Sequence, residues 1–441
     1  MVGSRLIRYF ARFGHAENPT PPPVSGARLS KVTWHCARRG IKCAGSGGHT
    51  AVPGVSTAPF AGRSPPRRCA GPSRDAVRRG GRPQARPHGP RGGAAVRLDH
   101  PVGIAAAALW LPDRRSTAES DVADQRAAAG AVRDLAHPSL PDAGEVPAPD
   151  MAVRAAEEAL RSAGVRGDQL GLLCHAWMYY QGHDLWSPPH YIARRLGAQD
   201  ALPVGIQQVC NGGATAVELT AARLAAEPER GYGLVTTGDR FTGPGFDRWT
   251  ADYGVAYGDG GTAVLLRVPA GERDGLLLRA TCTVASPELE EMHRGADPFA
   301  GAARTHRPRV DMRATKRAYL RSHGREAFAA ANERCVRAVV TGALHDAGLA
   351  PDDKRIRCAV LPRFGRKTLH ESWLPVLGEL VGTELLDWGR DTGHLGAGDA
   401  IAGLAGLVRG EVLAPGEFAL VFSAGAGFTW SCLVVQAPAP D

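Results

Sequence analysis

Short apolar segments alternate with helical segments along this chain, and this alternation limits the possible folds more than any other feature. Residues 102–111, 170–176 and 204–209 are predicted strands, since they are short, apolar and bounded by loop residues. Residues 150–164, with Asp150 as cap and Gly164 as stop, and the small-residue segment 212–225 are predicted helices. Strands that alternate with helices in this way form a layered α/β fold.

A second set of elements follows the first. It comprises predicted strands 276–285, 357–361, 418–422 and 429–435 and helical segments 313–348, 367–381 and 399–408, and strands 232–238 and 262–266 complete the first set. Each set contains one helix rich in small residues, which favours an internal duplication, although the two halves share too little sequence to prove it. We therefore predict an N-terminal half at 96–267 and a C-terminal half at 268–441.

The first 95 residues differ from the rest in charge and composition. They hold 17 Lys and Arg against Glu17 and Asp75, a net charge of +15, whereas residues 96–441 hold 36 basic and 42 acidic residues, a net charge of −6. Their 12 Pro and 15 Gly leave too little apolar surface to offset chain entropy. We expect a disordered extension, and an over-extended gene start with initiation near Val96. Nucleic-acid binding would depend on this extension alone, and we predict none.

Several protein classes are excluded by what the sequence lacks. Its longest apolar runs are well short of the ~20 residues of a membrane-spanning helix. Its nine cysteines are scattered and include no CxxC pair, which argues against disulfides and a metal site and favours the reducing cytoplasm. It has no phosphate-binding glycine loop, so we predict no nucleotide cofactor.

Cys210 is the candidate nucleophile. It follows a predicted strand and precedes Asn211, two glycines and a predicted helix. Free N–H groups and the dipole at a helix N-terminus stabilise a thiolate, the form that attacks thioester carbonyls. A small buried core cysteine is the alternative interpretation.

Two glycine-rich segments are candidates for the rest of a catalytic site. His394 lies in a glycine loop, and Asp399 follows at the start of a predicted helix, a spacing that suits an Asp–His pair. Asp399 as a helix cap beside an ordinary loop histidine is the alternative. Gly425, Ala426 and Gly427 form a bend whose N–H groups are candidates for an oxyanion hole, and a plain β-turn explains it equally well.

Four further segments occur in register with these candidates. They read YQGHDLW at 180–186, GDRF at 238–241, FDRW at 246–249 and YGDG at 257–260, and the His394 loop, GHLGAGD at 393–399, makes a fifth. Together with the Cys210 segment they resemble the ketoacyl-acyl carrier protein synthase III family of the thiolase superfamily, over about residues 96–435. The closest likeness is to the acyltransferase and starter-unit enzymes of actinomycete polyketide pathways.

The resemblance implies a thiolase-like αβαβα fold of two duplicated halves, a homodimer, and Cys210 as the acyl-accepting residue. Condensing members of the family use a histidine and an asparagine, and Arg363 and His394 stand at those two positions. The acyltransferase-like branch has the His394 and Asp399 arrangement instead, which implies a Cys–His–Asp triad. The acyl-phosphopantetheine of a carrier protein, or acyl-CoA, would be the substrate, with no bound cofactor.

We therefore predict an acyltransferase that takes an acyl group from a carrier protein onto Cys210 and passes it to a hydroxyl or thiol. One alternative is a priming synthase that condenses the acyl group with malonyl-carrier protein, and another is a non-catalytic ketosynthase-like subunit. Two further sets of residues are predicted. The acyl-pocket set, for which core packing is an equal alternative, is Trp177, Tyr180, Trp186 and Phe246, and the carrier-contact set is Arg240, Arg248 and Arg363.

Overall fold

The computed structural model describes the backbone of residues 94–123 and 129–439. The predicted disordered extension, 1–95, therefore lies outside the described residues except for Ala94 and Ala95, which begin the first strand. The strands are β1 (Ala94–Trp110), β2 (Arg115–Ser116), β3 (Leu140–Pro141), β4 (Leu170–Ala176), β5 (Leu202–Ile206), β6 (Tyr232–Asp239), β7 (Gly260–Arg267), β8 (Leu276–Ala285), β9 (Ile356–Val360), β10 (Glu384–Leu386), β11 (Phe418–Gly425) and β12 (Thr429–Gln436).

The helices alternate with these strands, as the sequence predicts. They are α1 (Glu119–Ala123), α2 (Ala129–Leu135), α3 (Ala148–Ala163), α4 (Pro188–Arg195), α5 (Gly212–Ala226), α6 (Glu291–Arg294), α7 (Met312–His323), α8 (Glu326–Ala347), α9 (Arg366–Ser372), α10 (Leu374–Leu380) and α11 (Asp399–Gly410).

The strand order shows the internal duplication directly. Ten strands pair in the order β10-β9-β11-β12-β8-β1-β7-β6-β4-β5. When the strands of each half are numbered along the chain and read from the outer edge of the sheet inwards, both halves have the same order: third, second, fourth, fifth, first. The strand directions also agree between the halves. β4 is parallel to β5 and β6, and β9 is likewise parallel to β10 and β11. The other neighbouring strands within each half are antiparallel. The halves meet where β1 pairs antiparallel with β8.

Three apolar clusters separate the layers of the fold. The central cluster lies between the two half-sheets and contains α5 and α11, with Ala216 and Leu404 among its buried residues. One outer cluster packs α3 on the first half-sheet, and the other packs α8 on the second. The result is the αβαβα layering that the family resemblance implies, with the small-residue helices in the middle layer.

Several element boundaries differ from the sequence predictions. β1 begins at Ala94, whereas the predicted strand begins at 102. The strand predicted to run to 209 ends at Ile206, because 209–211 form a 3₁₀ turn. Helix α3 begins after Pro147 without a side-chain cap, so Asp150 lies inside the first turn, while Gly164 ends the helix in the left-handed conformation as predicted. The long predicted helices 313–348 and 367–381 are each divided into two, near Gly324 and at Trp373.

The described part of the chain supplies two further facts about its class. None of its helices is long and apolar enough to cross a membrane. Within the same residues, no group of three or more His, Cys, Asp or Glu side chains is placed to hold a metal ion.

Because of its position in the central layer, we expect Leu404→Ala to destabilise the protein strongly. Leu404 is completely buried in α11, so the substitution leaves a cavity and is expected to lower the free energy of unfolding by roughly 2–5 kcal/mol. Leu185→Ala is the control, since Leu185 is fully exposed and should change that energy by less than about 0.5 kcal/mol. Denaturant titration of both variants measures the difference, and equal stabilities would contradict this packing.

Candidate active site

Cys210 lies in a tight turn between β5 and α5. Val209 before it has φ 49°, a left-handed conformation that is rare for a β-branched residue. The turn is held by the Asn211 side chain, whose Nδ2 donates to Gln208 Oε1 at 2.9 Å and to Ser431 Oγ at 2.9 Å. The half-buried thiol of Cys210 therefore stands one residue before the N-cap of the 15-residue helix α5, as the sequence predicts.

His394 and Asp399 form a buried pair. His394 Nδ1 lies 2.7 Å from Asp399 Oδ2, and both side chains are almost completely inaccessible to solvent. Asp399 is the first residue of α11, and its two oxygens also accept hydrogen bonds from the backbone N–H groups of Arg363 and Leu395, at 3.0 and 2.9 Å. These bonds fix the carboxylate, which in turn fixes the ring orientation of His394 and leaves Nε2 for chemistry.

The charges around His394 determine its protonation. Burial by itself lowers the pKa of the imidazole, but the carboxylate of Asp399 and then Cys210 outweigh it and hold this pKa well above its usual range. Nε2 has no hydrogen bond of normal geometry to a described residue, although Cys210 is near enough to influence it. The free nitrogen of His394 thus lies on the side of the Cys210 thiol.

The glycine bend lies directly against the nucleophile turn. It begins at Gly425, the last residue of β11, and a Cβ added to Gly425 would lie 2.6 Å from the backbone nitrogen of Asn211, so only glycine permits this approach. Ala426 and Gly427 are half-buried beside it. The structure therefore brings the predicted oxyanion segment next to Cys210.

Arg363 does not occupy the carrier-contact position that the sequence analysis assigned to it. Only 4% of the residue is exposed, and its guanidinium donates inward to Trp388 O at 2.6 Å and Thr392 Oγ1 at 2.7 Å. The prediction is wrong because these carbonyl and hydroxyl partners bury the charge. Its neighbour Phe364 contacts the site instead, with its ring centroid 5.7 Å from that of His394.

The other two predicted carrier contacts have different outcomes. Arg248 is also buried, where it donates to Pro141 O at 2.8 Å and pairs with Asp259 Oδ2 at 3.1 Å, so its assignment is wrong for the same reason. Arg240 is partly exposed and lines a polar cleft of about 470 Å³ that also contains Arg114 and Arg309.

The predicted acyl-pocket residues are not brought together. Phe246 belongs to a buried aromatic cluster with Phe241 and Tyr257. Tyr180 and Trp186 are 51% and 38% exposed, and Trp177 stacks on His175. The prediction that Trp177, Tyr180 and Trp186 line one pocket is wrong. The loop after β4 places the rings of Tyr180 and Trp186 at the surface and the ring of Trp177 against His175.

Three further residues beside the site were, like Phe364, missed as site residues. Met178 Sδ lies 3.8 Å from Cys210 Sγ, and the Tyr257 ring contacts that of His394 at a centroid distance of 5.4 Å. Asp239 is completely buried and bonds to the loop that precedes Asp399. Asp239 and Tyr257 lie within segments that carry the family resemblance, whereas no sequence signal marks Met178.

Comparison with known proteins decides the family. No family model and no curated protein matches the sequence. A solved structure of the acyltransferase ChlB3 matches at 36% sequence identity with a TM-score of 0.68, and the alignment covers 77% of this chain and 98% of that one. The chain belongs to the ketoacyl-acyl carrier protein synthase III-like family.

Other synthase III-like structures share the fold at lower identity. The 3-oxoacyl-(acyl carrier protein) synthase III, FabH, of Pseudomonas aeruginosa PAO1 is 18% identical with a TM-score of 0.61, over 77% of this chain and 99% of that one. The priming β-ketosynthase of the R1128 polyketide pathway is 20% identical with a TM-score of 0.60, over 78% and 99%. This synthase III-like chain is thus a thiolase-fold biosynthetic enzyme of the acyl-transferring kind.

The buried His394–Asp399 pair leads to a prediction about the pKa of His394. Because the pKa of His394 is raised mainly by Asp399, Asp399→Asn should lower it, so that the ring loses its proton at a lower pH than in the unchanged protein. NMR of protein with ¹⁵N-labelled histidine measures this, and the spectrum of His394→Gln assigns the signal among the 15 histidines. An unchanged midpoint in Asp399→Asn would show that the carboxylate does not control the imidazole.

Proposed function

We propose that this enzyme transfers an acyl group in two steps, through a thioester on Cys210. The observation that supports this most is the buried His394–Asp399 pair beside a cysteine at a helix N-terminus. A thiolate, a proton carrier and a carboxylate that orients the carrier are the groups that acyl transfer through a covalent intermediate requires. ChlB3, at 36% identity, is described as an acyltransferase, which supports the same assignment.

In the first step the Cys210 thiolate attacks the carbonyl carbon of an acyl thioester. The negative oxygen of the tetrahedral intermediate would accept hydrogen bonds from the N–H of Cys210 and one from Gly425–Gly427, which lie against each other. The carbon–sulfur bond to the donor then breaks, and the departing thiolate takes a proton from His394. Acyl-Cys210 and a free donor thiol result.

In the second step a hydroxyl or thiol acceptor enters. It gives its proton to Nε2 of His394, and its oxygen or sulfur attacks the acyl carbon. Cys210 leaves as thiolate, stabilised by the imidazolium that Asp399 holds in place. The enzyme returns to its initial protonation state, and no carbon–carbon bond is formed.

Arg363 favours transfer over condensation. Condensing relatives have a histidine at this position, but the Arg363 guanidinium is buried and bound to Trp388 O and Thr392. An arginine keeps its proton and cannot serve as a neutral imidazole donor. The priming-synthase alternative therefore requires His394 alone to do the work of both the histidine and the asparagine of the condensing relatives.

Arg240 is the carrier-protein contact that we retain. The cleft beside Phe241 and Phe246 is lined by four arginines, Arg114, Arg240, Arg248 and Arg309, and by three acidic residues, Asp142, Glu145 and Asp247, so the charges of its lining sum to +1. Carrier proteins are acidic, and the body of this enzyme carries a net negative charge, so a local cationic surface is needed for docking. The aromatic cluster behind this cleft reaches His394 through Tyr257.

Intact-mass analysis tests the reaction. The unchanged protein, incubated with a panel of acyl-carrier proteins, should gain the mass of one acyl group, and Cys210→Ala should gain none. His394→Gln should become acylated at least about 100-fold more slowly, since general acid–base catalysis contributes that much.

Two outcomes would overturn the proposal. Carbon dioxide release with a β-ketoacyl product from malonyl-carrier protein would establish condensation. Unchanged pathway product with Cys210→Ala would establish a non-catalytic subunit.

We also propose that the enzyme is a homodimer joined through β5. This strand is one of the two edges of the ten-stranded sheet, the other being β10, so its outer N–H and C=O groups have no strand partner in the described chain. Leu202 on β5 and Leu219 on the following helix are each 51% exposed. An exposed, apolar sheet edge is protected by pairing, and a second copy related by a two-fold axis presents the same edge.

Leu202→Asp is expected to convert this dimer into a monomer, because two carboxylates would then face each other across the axis. Light scattering after size-exclusion chromatography measures the mass, and Phe299→Asp, at an exposed site in the loop between α6 and α7, is the control. A monomeric unchanged protein, or a Leu202→Asp dimer as stable as the control, would refute the interface.

A further inference from the structure

Asp239 is a buried carboxylate whose partners are backbone N–H groups. It ends β6, and its side chain is completely inaccessible. Oδ1 accepts from Met178 N at 3.0 Å and Tyr179 N at 2.9 Å, and Oδ2 accepts from Ala397 N at 3.0 Å. Burying a carboxylate costs free energy that such hydrogen bonds offset, so its position must be well determined.

The two loops that Asp239 joins carry the two halves of the candidate active site. The 178–179 loop places Met178 Sδ 3.8 Å from the Cys210 thiol. The second loop, Gly396–Gly398, connects His394 to Asp399. One side chain therefore connects the nucleophile side of the site with the His–Asp side.

The second loop is shaped to receive this carboxylate. Gly396 has φ 63°, and a Cβ there would lie 2.2 Å from Asp239 Oδ2. Only glycine combines this left-handed backbone with so close an approach. The loop before Asp399 is thus built around the Asp239 oxygen.

We infer that Asp239 is a positioning residue that sets the distance between Cys210 and the His394–Asp399 pair. The inference rests on the proposed function, since it assumes that these three residues act together. Asp239 touches none of the reacting atoms and acts through Met178 and Ala397. A small displacement of either loop would separate the thiol from Nε2, and errors of about 1 Å at such sites can cost 100-fold in rate.

The surroundings of Asp239 are consistent with this role. Burial raises its pKa to about 7, against the opposing effects of its backbone donors and of His394. The described part of the chain offers it no arginine or lysine partner, in contrast to Asp259, which pairs with Arg248. Asp239 is therefore held by oriented N–H groups, which place it in space more strictly than a mobile cation would.

Asp239→Asn tests the inference with little change of volume. An amide has one acceptor oxygen, so it can satisfy one loop but presents N–H groups to the other. The rate constant for Cys210 alkylation by iodoacetamide should fall about tenfold or more near neutral pH. The pH dependence of this rate constant in Asp239→Asn should match that in His394→Gln, because the Cys210 thiol loses contact with the imidazole.

Asp274→Asn is the matched control. Asp274 is also buried and also accepts a backbone N–H, from Gly271, but it lies in the β7–β8 loop with Arg267 as its ion-pair partner. This variant should lose thermal stability and keep the unchanged alkylation rate and pH profile. Asp239→Ser, which leaves space for water at the three N–H groups, is the second variant if Asp239→Asn does not fold.

The outcomes separate this inference from the proposed function. Alkylation requires no acyl donor or acceptor, so it reports the Cys210–His394 contact even if no carrier protein acylates the enzyme. An unchanged pH profile in a folded Asp239 variant would overturn the positioning role while acyl transfer remains. An altered profile without acylation of the unchanged protein would support the role and count against the reaction.

Discussion

The packing of α5 and α11 between the two half-sheets is the constraint on which the rest of the structure depends. Both helices lie in the central apolar cluster, and their buried faces consist largely of Gly, Ala and Leu. Small residues let helices and strands approach closely and exclude water. Cys210 directly precedes the N-cap of one helix and Asp399 is the first residue of the other, so this packing determines where the nucleophile and the carboxylate stand.

The duplication divides the chemistry between the halves. The two sets of strands have the same order and directions, and α5 and α11 occupy equivalent places in them. The first half provides the thiol, and the second provides the imidazole, its carboxylate and the glycine bend. Because the two halves meet at the central layer, residues nearly 190 positions apart in the chain lie in one site.

Buried charges at this site are stabilised by hydrogen bonds. Asp399 accepts from His394, Arg363 N and Leu395 N, Asp239 accepts three backbone N–H groups, and the Arg363 guanidinium donates to a carbonyl and a hydroxyl. Unpaired ions would be too costly in an interior of low dielectric constant. The same bonds that offset this cost fix the loops, so stability and positioning have one origin.

The sequence by itself determined the alternation of strands and helices and the two small-residue helices, which follow from local patterns of polarity, glycine and spacing. The grouping of Cys210 with His394 and Asp399 came from the resemblance to a known family, since spacing alone left the helix-cap alternative open for Asp399. Which arginines face solvent, which aromatic rings gather beside His394, and that Asp239 joins both loops were decided by tertiary structure alone. Burial and hydrogen-bond partners depend on segments far away in the chain: Arg363 is buried because Trp388 O and Thr392 accept its protons, and Asp239 becomes central because Gly396 approaches it.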